Sequence, residues 1–361
     1  MSDVAQHLKD LIRADGPISV AEFMRVVLTG RDDSYYRRGD PLGARGDFVT
    51  ASEISQIFGE LVGLWCVDVW QKLGEPKTFT LVEMGPGRGT LMKDALRAAR
   101  VAPAFLNAVS VAMVEVSEAL RRLQQDALRE ASVAAHWLDR FEDLDVRGPL
   151  IVVANEFFDA LPIRQWVRGA SGWSERCVGL ASDTLIFGAS GTIDARFVAE
   201  AFRGAPVGSV VETSPARTAI ARMIGEAIVR NGGAVLAIDY GFEGPAAGDT
   251  LQAMKAHAFA DVLADPGHAD VTSHVDFAAL KDAFVDGGAV TSPLTTQGAF
   301  LHRLGGEVRV QTLKRSASVA QASDLDAAYA RLTRADAMGS LFKVLCAHAP
   351  AAIHPVGFSD A

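Results

Sequence analysis

Leu81-Val82-Glu83-Met84-Gly85-Pro86-Gly87-Arg88-Gly89-Thr90 is the stretch of sequence that decides the fold. The apolar run from Phe79 to Met84 predicts a buried strand, the three glycines predict a tight turn, and residues 90–100 have the spacing of a helix. A strand, a glycine turn and a helix in this order open a ligand pocket at the carboxyl edge of a doubly wound sheet. We therefore predict an α/β protein with a Rossmann-like sheet.

The residues around the turn indicate which ligand this pocket binds. Gly85, Gly87 and Gly89 are spaced as G-x-G-x-G, whereas dinucleotide-binding turns follow G-x-G-x-x-G. Glu83 would repel a pyrophosphate and attract a cation, and Glu115, which ends the next predicted strand, suits a ribose. S-adenosylmethionine carries a sulfonium, an ammonium and a ribose but no phosphate. It is therefore the predicted cofactor, with NAD and an ordinary ligand-free turn as the alternatives.

Length and composition restrict the class of protein. A chain of 361 residues holds one large domain or two, and a formal charge of −9 argues against a nucleic-acid partner, which needs a clustered cationic surface. The three cysteines show no paired spacing, which favours a reducing compartment. The sequence has no apolar run of membrane-span length, and Asp3 and Asp10 interrupt any transit-like pattern. We predict a cytoplasmic protein that is not inserted in a membrane.

The chain divides into an N-terminal segment and a main domain. Residues 1–74 are predicted to be helical, with capping boxes at Ser19 and Thr50 and a mobile Gly/Pro-rich loop at 32–50 that acts as a lid. Residues 75–361 are predicted to hold the sheet. Short alternating stretches broken by glycines predict an inserted antiparallel β region at about 163–212.

A second informative stretch, Asn155-Glu156-Phe157-Phe158-Asp159-Ala160-Leu161-Pro162, follows another predicted strand. If the ligand pocket serves methyl transfer to a nitrogen, carboxylates must orient that nitrogen and accept its proton, because a guanidinium is essentially always protonated in solution. Glu156 is the first candidate and Asp159 the second, with Asn155 and the strand-end Asp239 as further candidates. The alternative is that Asn155 and Asp159 only cap the next turn while the phenylalanines are core.

Three histidines are candidate metal ligands. His257, His268 and His274 lie in a region rich in aspartates, but no pair has the spacing of a zinc-binding helix. Methyl transfer from S-adenosylmethionine to nitrogen needs no metal. We therefore predict that the protein has no metal site.

Taken together, these stretches resemble the MidA family, bacterial and mitochondrial S-adenosylmethionine-dependent methyltransferases linked to the assembly of respiratory complex I. Beyond the two stretches quoted above, the resemblance runs through Gly16-Pro17-Ile18-Ser19, Tyr35-Tyr36, Gly46-Asp47-Phe48-Val49-Thr50, Glu53-Ile54-Ser55-Gln56-Ile57-Phe58-Gly59-Glu60, Ile238-Asp239-Tyr240-Gly241, Thr296-Gln297-Gly298-Ala299-Phe300-Leu301 and Met338-Gly339-Ser340-Leu341-Phe342-Lys343-Val344. Only the glycine turn is shared with methyltransferases at large.

The resemblance implies a class I methyltransferase fold with N-terminal helices and a β insertion. For the mitochondrial members it implies symmetric dimethylation of an arginine on a complex I subunit. The cofactor-binding residues are then predicted to be Glu83, Gly85, Pro86, Gly87, Gly89 and Glu115, with Phe48 and Thr50 closing over the site from the lid.

The resemblance leaves three points open. Arginine methyltransferases of the better-known type hold the guanidinium with two glutamates. Glu156 matches the first, but this chain has Gln165 in place of the second, so the second role would fall to Asp159 or Asp239. A non-catalytic assembly factor that binds S-adenosylmethionine needs the same pocket and is the main alternative, ahead of an NAD-dependent oxidoreductase. The predicted partner is a protein substrate, and a homodimer is left open.

Overall fold

The computed structural model describes residues 3–39, 50–131, 133–194 and 198–358. The helices are α1 (Asp3–Asp15), α2 (Val20–Leu28), α3 (Ala51–Ile54), α4 (Gln56–Lys72), α5 (Thr90–Ala98), α6 (Pro103–Ala108), α7 (Glu118–Leu128), α8 (Pro215–Asn231), α9 (Phe277–Asp286), α10 (Gln297–Arg303), α11 (Gly306–Lys314), α12 (Val319–Thr333) and α13 (Met338–Leu341). None of the helices in these ranges has the length and apolar character needed to cross a membrane.

The strands are interspersed with these helices. They are β1 (Ile18–Ser19), β2 (Phe79–Met84), β3 (Val109–Val114), β4 (Ala134–Leu138), β5 (Leu150–Asn155), β6 (Arg164–Gly169), β7 (Gly172–Ala181), β8 (Thr184–Ile193), β9 (Val210–Thr213), β10 (Gly233–Phe242), β11 (Gln252–Lys255), β12 (Ala258–Ala260), β13 (Asp270–Thr272), β14 (Val275–Asp276), β15 (Val290–Thr291), β16 (Thr295–Thr296) and β17 (Phe342–Ala349).

The central sheet has the order β15-β17-β10-β5-β2-β3-β4. Strands β4, β3, β2, β5 and β10 run parallel, and β17 is antiparallel to its neighbour β10. Every residue of β2 and β5 is buried, because helices cover both faces of the sheet, and this explains their continuous apolar sequences. The predicted doubly wound α/β fold is confirmed.

The helix α4 packs unusually close to α5 on one face of the sheet. A Cβ on Gly63 would lie 2.5 Å from the backbone of Ala95, so only glycine allows the two helices to approach this closely. Helices α8 and α9 cover the opposite face. Because α5 begins directly after the glycine turn, its close packing against α4 fixes the position of that turn.

The inserted antiparallel sheet is joined by a strand from the N-terminal segment. Its order is β1-β7-β6-β9, with β8 added to β7, and Ile18 in β1 pairs with Val178 in β7. Phe23 and Val27 of α2 lie in the same buried cluster as Val178. Helices α1 and α2 and the insertion therefore form one packed unit. The predicted domain division at residue 74 remains a prediction.

The capping box predicted at Thr50 does not form. Thr50 Oγ1 lies 3.0 Å from Ser52 Oγ, and the side chain of Glu53 accepts a hydrogen bond from the Thr90 hydroxyl. Helix α3 therefore lasts only one turn, and the extended residue Ser55 caps a separate helix, α4. The Glu53 carboxylate, which would have completed the capping box, instead ties this segment to the start of α5.

Strand β17 was not predicted, although it lies inside the central sheet. The only indication in the sequence is the apolar run Val344–Ala347, which is shorter than the other buried strands. Its partner β10 pairs with it along eight residues, from Gly233 to Tyr240. Long-range pairing, which a single sequence does not reveal, is what makes this segment a strand.

Candidate active site

A cavity of about 410 Å³ lies at the carboxyl edge of the central sheet. We call residues 83–88, 114–120 and 139–142 its glycine-turn side, and residues 24–36, 50–53, 155–162 and 270 its Glu156 side. Eight carboxylates and three guanidinium groups occur among its described lining residues: Glu53, Glu83, Glu115, Asp139, Glu142, Glu156, Asp159, Asp270, Arg25, Arg88 and Arg140. The excess of carboxylates suits a cationic ligand.

The glycine turn is built from left-handed backbone. The φ angles of Gly85, Gly87 and Gly89 are +60°, +54° and +80°. Gly85, Pro86 and Gly87 line the cavity as predicted, but Gly89 does not. A Cβ on Gly89 would lie 3.1 Å from the Cα of Gln124, so this glycine lets the turn pack on α7 rather than admitting a ligand.

Replacing Gly85 by alanine is expected to weaken binding of S-adenosylmethionine about tenfold. The left-handed φ costs an alanine about 1–2 kcal/mol, and the new methyl group would lie 3.1 Å from Cδ2 of Phe157. Isothermal titration checks this. Gly188→Ala is the matched control, since nothing lies near its Cβ and its φ is not in the left-handed range. Equal donor affinity in Gly85→Ala and wild type would contradict the assignment of the turn.

Glu83 is a buried carboxylate at the start of the turn. It lines the cavity, and among the described residues its Oε2 atom has no hydrogen-bond partner. Burial, and to a smaller extent the charge of Glu115, raise the pKa of Glu83 to about 8. A buried carboxylate with an unpaired oxygen is stabilised by a ligand that brings a positive charge and hydrogen-bond donors.

Glu115 is held by two donors. Its Oε1 accepts from the Ser117 N–H at 2.8 Å, and its Oε2 accepts from Gln124 Nε2 at 3.1 Å. Gln124 Nε2 also donates to the carbonyl oxygen of Gly87 at 2.7 Å, and its Oε1 accepts from Trp137 Nε1 at 2.8 Å. Gln124, which sequence analysis missed, thus links the glycine turn to Glu115. Burial raises the pKa of Glu115 to about 7.

Glu156 occupies a strained position directly after β5. Its φ is +48°, a left-handed conformation that costs a non-glycine residue of order 1–3 kcal/mol and that concentrates at functional sites. Its Oε1 accepts from the Ala51 N–H at 2.7 Å, while the described residues offer no partner to its Oε2 or to Asn155 Oδ1. Burial raises the pKa of Glu156 to about 8.

Asp239 supports this turn from beneath and does not line the cavity. Its Oδ2 accepts from the N–H groups of Phe158 and Asp159 at 3.0 and 3.2 Å, and its side chain is fully buried. The prediction that Asp239 contacts the acceptor is therefore corrected: it positions the turn. Asp159 does line the cavity, and its Oδ2 accepts from the Tyr240 hydroxyl at 2.6 Å.

Arg217 is a second support that sequence analysis missed. Its buried guanidinium donates to the carbonyl oxygens of Phe158 at 2.6 Å, Asp159 at 3.0 Å and His274 at 2.7 Å. It lies one turn before Ala221 on the apolar face of α8, and a charged residue in an apolar stripe is the signal that would have found it. The turn that carries Glu156 is thus held rigidly on both sides.

The N-terminal segment completes the cavity. Thr50, Ser52 and Glu53 line it, and the Ala51 N–H binds Glu156 across 105 residues of sequence. Phe48 and most of the predicted lid, residues 40–49, lie outside the described residues. The roles of Phe48 and Thr50 in closing the site stay predictions.

Comparison with known proteins identifies the class of protein. Residues 61–294 match the sequence model of a family of S-adenosyl-L-methionine-dependent methyltransferases. The chain belongs to this family. It is an enzyme that uses S-adenosylmethionine as its methyl donor, so the methyltransferase prediction is confirmed and the oxidoreductase and non-catalytic alternatives are set aside.

Curated relatives carry the name protein arginine methyltransferase NDUFAF7, mitochondrial. The Xenopus tropicalis protein is 36% identical over 93% of this chain and 84% of its own length. The Drosophila melanogaster homolog is 37% identical over 95% of this chain and 84% of its own. The human protein is 35% identical over 87% of this chain and 76% of its own.

Solved structures share the fold along nearly the whole chain. A Burkholderia thailandensis protein bound to S-adenosyl-homocysteine is 28% identical, with a TM-score of 0.83 over 99% of this chain and 93% of that one. A native structure from the same organism is 29% identical, with a TM-score of 0.81 over 99% and 92% of the two chains. The first of these relatives holds the nucleoside that remains after S-adenosylmethionine has lost its methyl group.

The same comparisons show that the predicted cytoplasmic location is wrong. The curated relatives are named as mitochondrial proteins. The prediction depended on the scattered cysteines and on the acidic residues Asp3 and Asp10. Cysteine content indicates a reducing environment but does not identify the compartment that provides it.

Proposed function

We propose that this methyltransferase transfers its methyl group to the guanidinium of an arginine side chain in a protein. The observation that carries the proposal is the pair of buried, unpaired oxygens on the Glu156 side of the cavity, Glu156 Oε2 and Asn155 Oδ1. An amide oxygen and an oxygen of an ionised carboxylate only accept hydrogen bonds, so a ligand that satisfies both atoms once Glu156 is ionised must donate. An arginine guanidinium offers five N–H donors and a permanent positive charge. The names of the curated relatives support the same acceptor.

When bound, the donor would supply the methyl group of its sulfonium. The sulfur would be the leaving group and would become a neutral thioether. The acceptor nitrogen gains one bond to carbon and gives up one proton, so a base is required. Glu156 is the carboxylate placed to orient that nitrogen and take the proton, because its Oε1 is fixed by Ala51 while its Oε2 has no described partner. Arg217 and Asp239 keep the turn in place during the reaction.

On the glycine-turn side, we propose that Glu83 balances the positive charge of the donor and that Glu115 accepts hydrogen bonds from its ribose. The unpaired Oε2 of Glu83 and the fixed orientation of Glu115 support these roles. Gly85, Pro86 and Gly87 would lie against the methionyl part, since no Cβ projects from either glycine.

The experiment that tests the acceptor is a comparison of the methylated proteome with and without this protein. Mass spectrometry should find methylarginine on a client that loses the modification when the protein is deleted. A complex I subunit, which the family resemblance implies, is the proposed client. Methyl groups that disappear only from lysine, glutamine or a small molecule would contradict the arginine proposal while leaving the methyltransferase assignment intact.

A further inference from the structure

A small antiparallel sheet, β12-β11-β13, borders the Glu156 side of the cavity. Asp270 in β13 pairs with Met254 in β11, and Met254 pairs in turn with Phe259 in β12. Side chains that are paired directly across neighbouring strands point to the same face of a sheet, so these three form one row. Because Asp270 lines the cavity, the row begins at the cavity wall.

The row runs from the cavity wall into solvent. Asp270 is 6% exposed, Met254 is half-buried, and Phe259 is 77% exposed, more than any other aromatic side chain in the described part of the chain. Neighbouring strands lie about 4.8 Å apart, so the two steps from Asp270 to Phe259 cover about 10 Å. Single exposed apolar residues are common on protein surfaces. It is the position of Phe259 in a row that starts at the cavity, and not its exposure alone, that is informative.

The sheet that carries Phe259 is held firmly by its other face. Ala253 and Val271, whose side chains point to that face, belong to the buried cluster formed with helices α1 and α2. The Tyr36 hydroxyl donates to Asp270 Oδ1 at 2.8 Å and ties β13 to the N-terminal segment. The exposure of Phe259 is therefore not the result of a loosely attached hairpin.

The turn between β11 and β12 is short and tight. Its two residues, Ala256 and His257, have φ angles of +50° and +62°. Positive φ at both positions is what a type I′ turn requires, and the twist of this turn matches that of the paired strands. Lys255, at the edge of the turn, forms a salt bridge with Asp265, so its charge is balanced within the protein. The hairpin thus presents an uncharged aromatic ring from a well-defined backbone.

We propose that Met254 and Phe259 form a docking surface for the client protein and bind a large apolar side chain on the same segment as the acceptor arginine. The inference rests on the proposed function and deepens it by naming a second feature that the enzyme recognises in its client. A segment whose arginine enters the cavity runs outward over the cavity wall, and an extended chain covers about 10 Å in three residues. The apolar side chain is therefore expected about three or four positions from the arginine.

The site favours a client segment over a second copy of this chain as the occupant. The exposed apolar row consists of two side chains, whereas a stable dimer buries about 800 Å² on each partner. A segment that is already anchored in the cavity needs only one or two apolar contacts more. The eight carboxylates of the cavity, against three guanidinium groups, attract a basic segment, and the row adds selectivity for its apolar neighbour.

The test uses eleven-residue acetylated and amidated peptides of glycine and serine with one central arginine and one leucine, which is moved through the other positions. Binding to the full chain, saturated with S-adenosylhomocysteine, is measured for the wild type and for Phe259→Ser. The matched control is Val319→Ser, which removes a 90% exposed apolar side chain at the start of α12. Equal melting temperatures of the three proteins confirm that the comparison concerns binding and not folding.

We expect a leucine about three or four positions from the arginine to tighten binding to the wild type about tenfold over the leucine-free peptide, as partial burial of its side chain would. Phe259→Ser should lose this gain and bind the leucine-free peptide like the wild type, whereas Val319→Ser should keep the gain. Met254→Gln, a second variant of the row, should reduce the gain about threefold. If no leucine position tightens binding, or if the gain survives in Phe259→Ser, the docking surface is wrong.

The same peptides with a central lysine separate this inference from the proposed function. A wild-type protein that binds the leucine-free lysine peptide more tightly than the arginine peptide would overturn the arginine acceptor, and the leucine gain in the lysine series then decides the docking surface by itself. A preference for arginine without any leucine gain would overturn the docking surface alone. If Phe259→Ser converts a dimer to a monomer in sedimentation and leaves peptide binding unchanged, the row joins two copies of the chain and the inference is overturned.

Discussion

Replacing Glu156 by glutamine is expected to lower kcat for methyl transfer by about 10²- to 10³-fold, the usual contribution of a positioned base, while donor affinity changes by less than about twofold. The glutamine keeps an oxygen that accepts from the Ala51 N–H, so the local fold should survive. It cannot take the proton that the acceptor nitrogen loses. Methyl incorporation into the client, measured by mass spectrometry under single-turnover conditions, together with titration of the donor, checks both expectations.

The pH dependence of kcat/KM in the wild type is a second test of the role of Glu156. Because burial raises the pKa of Glu156 to about 8, the base is mostly protonated in the free enzyme at pH 7. The value of kcat/KM should therefore increase with pH up to about 8 and level off above it, since kcat/KM reports the ionisation of the free enzyme. The control for Glu156→Gln is Glu226→Gln, which changes an exposed glutamate on α8. If the Glu156→Gln variant has the same kcat as the wild type, Glu156 is not the base.

Replacing Glu83 by glutamine is expected to weaken binding of S-adenosylmethionine about 10- to 100-fold, the range for a charge-assisted contact in a buried site. The reason is that Glu83 is buried beside the glycine turn and its Oε2 has no partner among the described residues. The amide has the same size but carries no charge. Isothermal titration measures the loss, and Glu226→Gln again serves as the exposed control.

Donor binding should also release protons, and Glu83 should be their main source. The pKa of Glu83 is raised to about 8 in the free protein, so at pH 7 this carboxyl is mostly protonated. A cation beside it favours the ionised form and lowers that pKa, so the proton leaves on binding, and donor affinity rises with pH toward 8. Titrations in two buffers of different ionisation enthalpy count the protons. An unchanged proton release in Glu83→Gln would show that another group is responsible.

The sequence predicts the parts of the site that follow strand ends. Glu83, Glu115 and Glu156 each come directly after an apolar run, and parallel strands bring their carboxyl ends to one edge. Asp239 illustrates the limit of this reasoning. It also lies near the end of a buried strand, but its carboxylate is used by the backbone of the neighbouring turn, which pattern alone does not reveal.

The groups that sequence analysis missed are those whose role depends on long-range contacts. Gln124 reaches the glycine turn from α7, and Arg217 reaches the Glu156 turn from α8. Tyr36 and Asp270 are separated by 234 residues and meet only where the N-terminal segment packs against β13. A single sequence shows local periodicity and composition, but it does not show which buried polar groups find one another.

The two sides of the cavity have different origins in the chain, and this has an evolutionary consequence. The glycine-turn side comes from three short stretches within residues 83–142, whereas the Glu156 side is assembled from four stretches spread over residues 24–270. Apart from Glu53, which is hydrogen-bonded to Thr90, and Phe157, which lies beside Gly85, we expect substitutions on the Glu156 side to change client recognition more than donor binding. A lineage with this architecture is free to change its substrate while keeping its methyl donor.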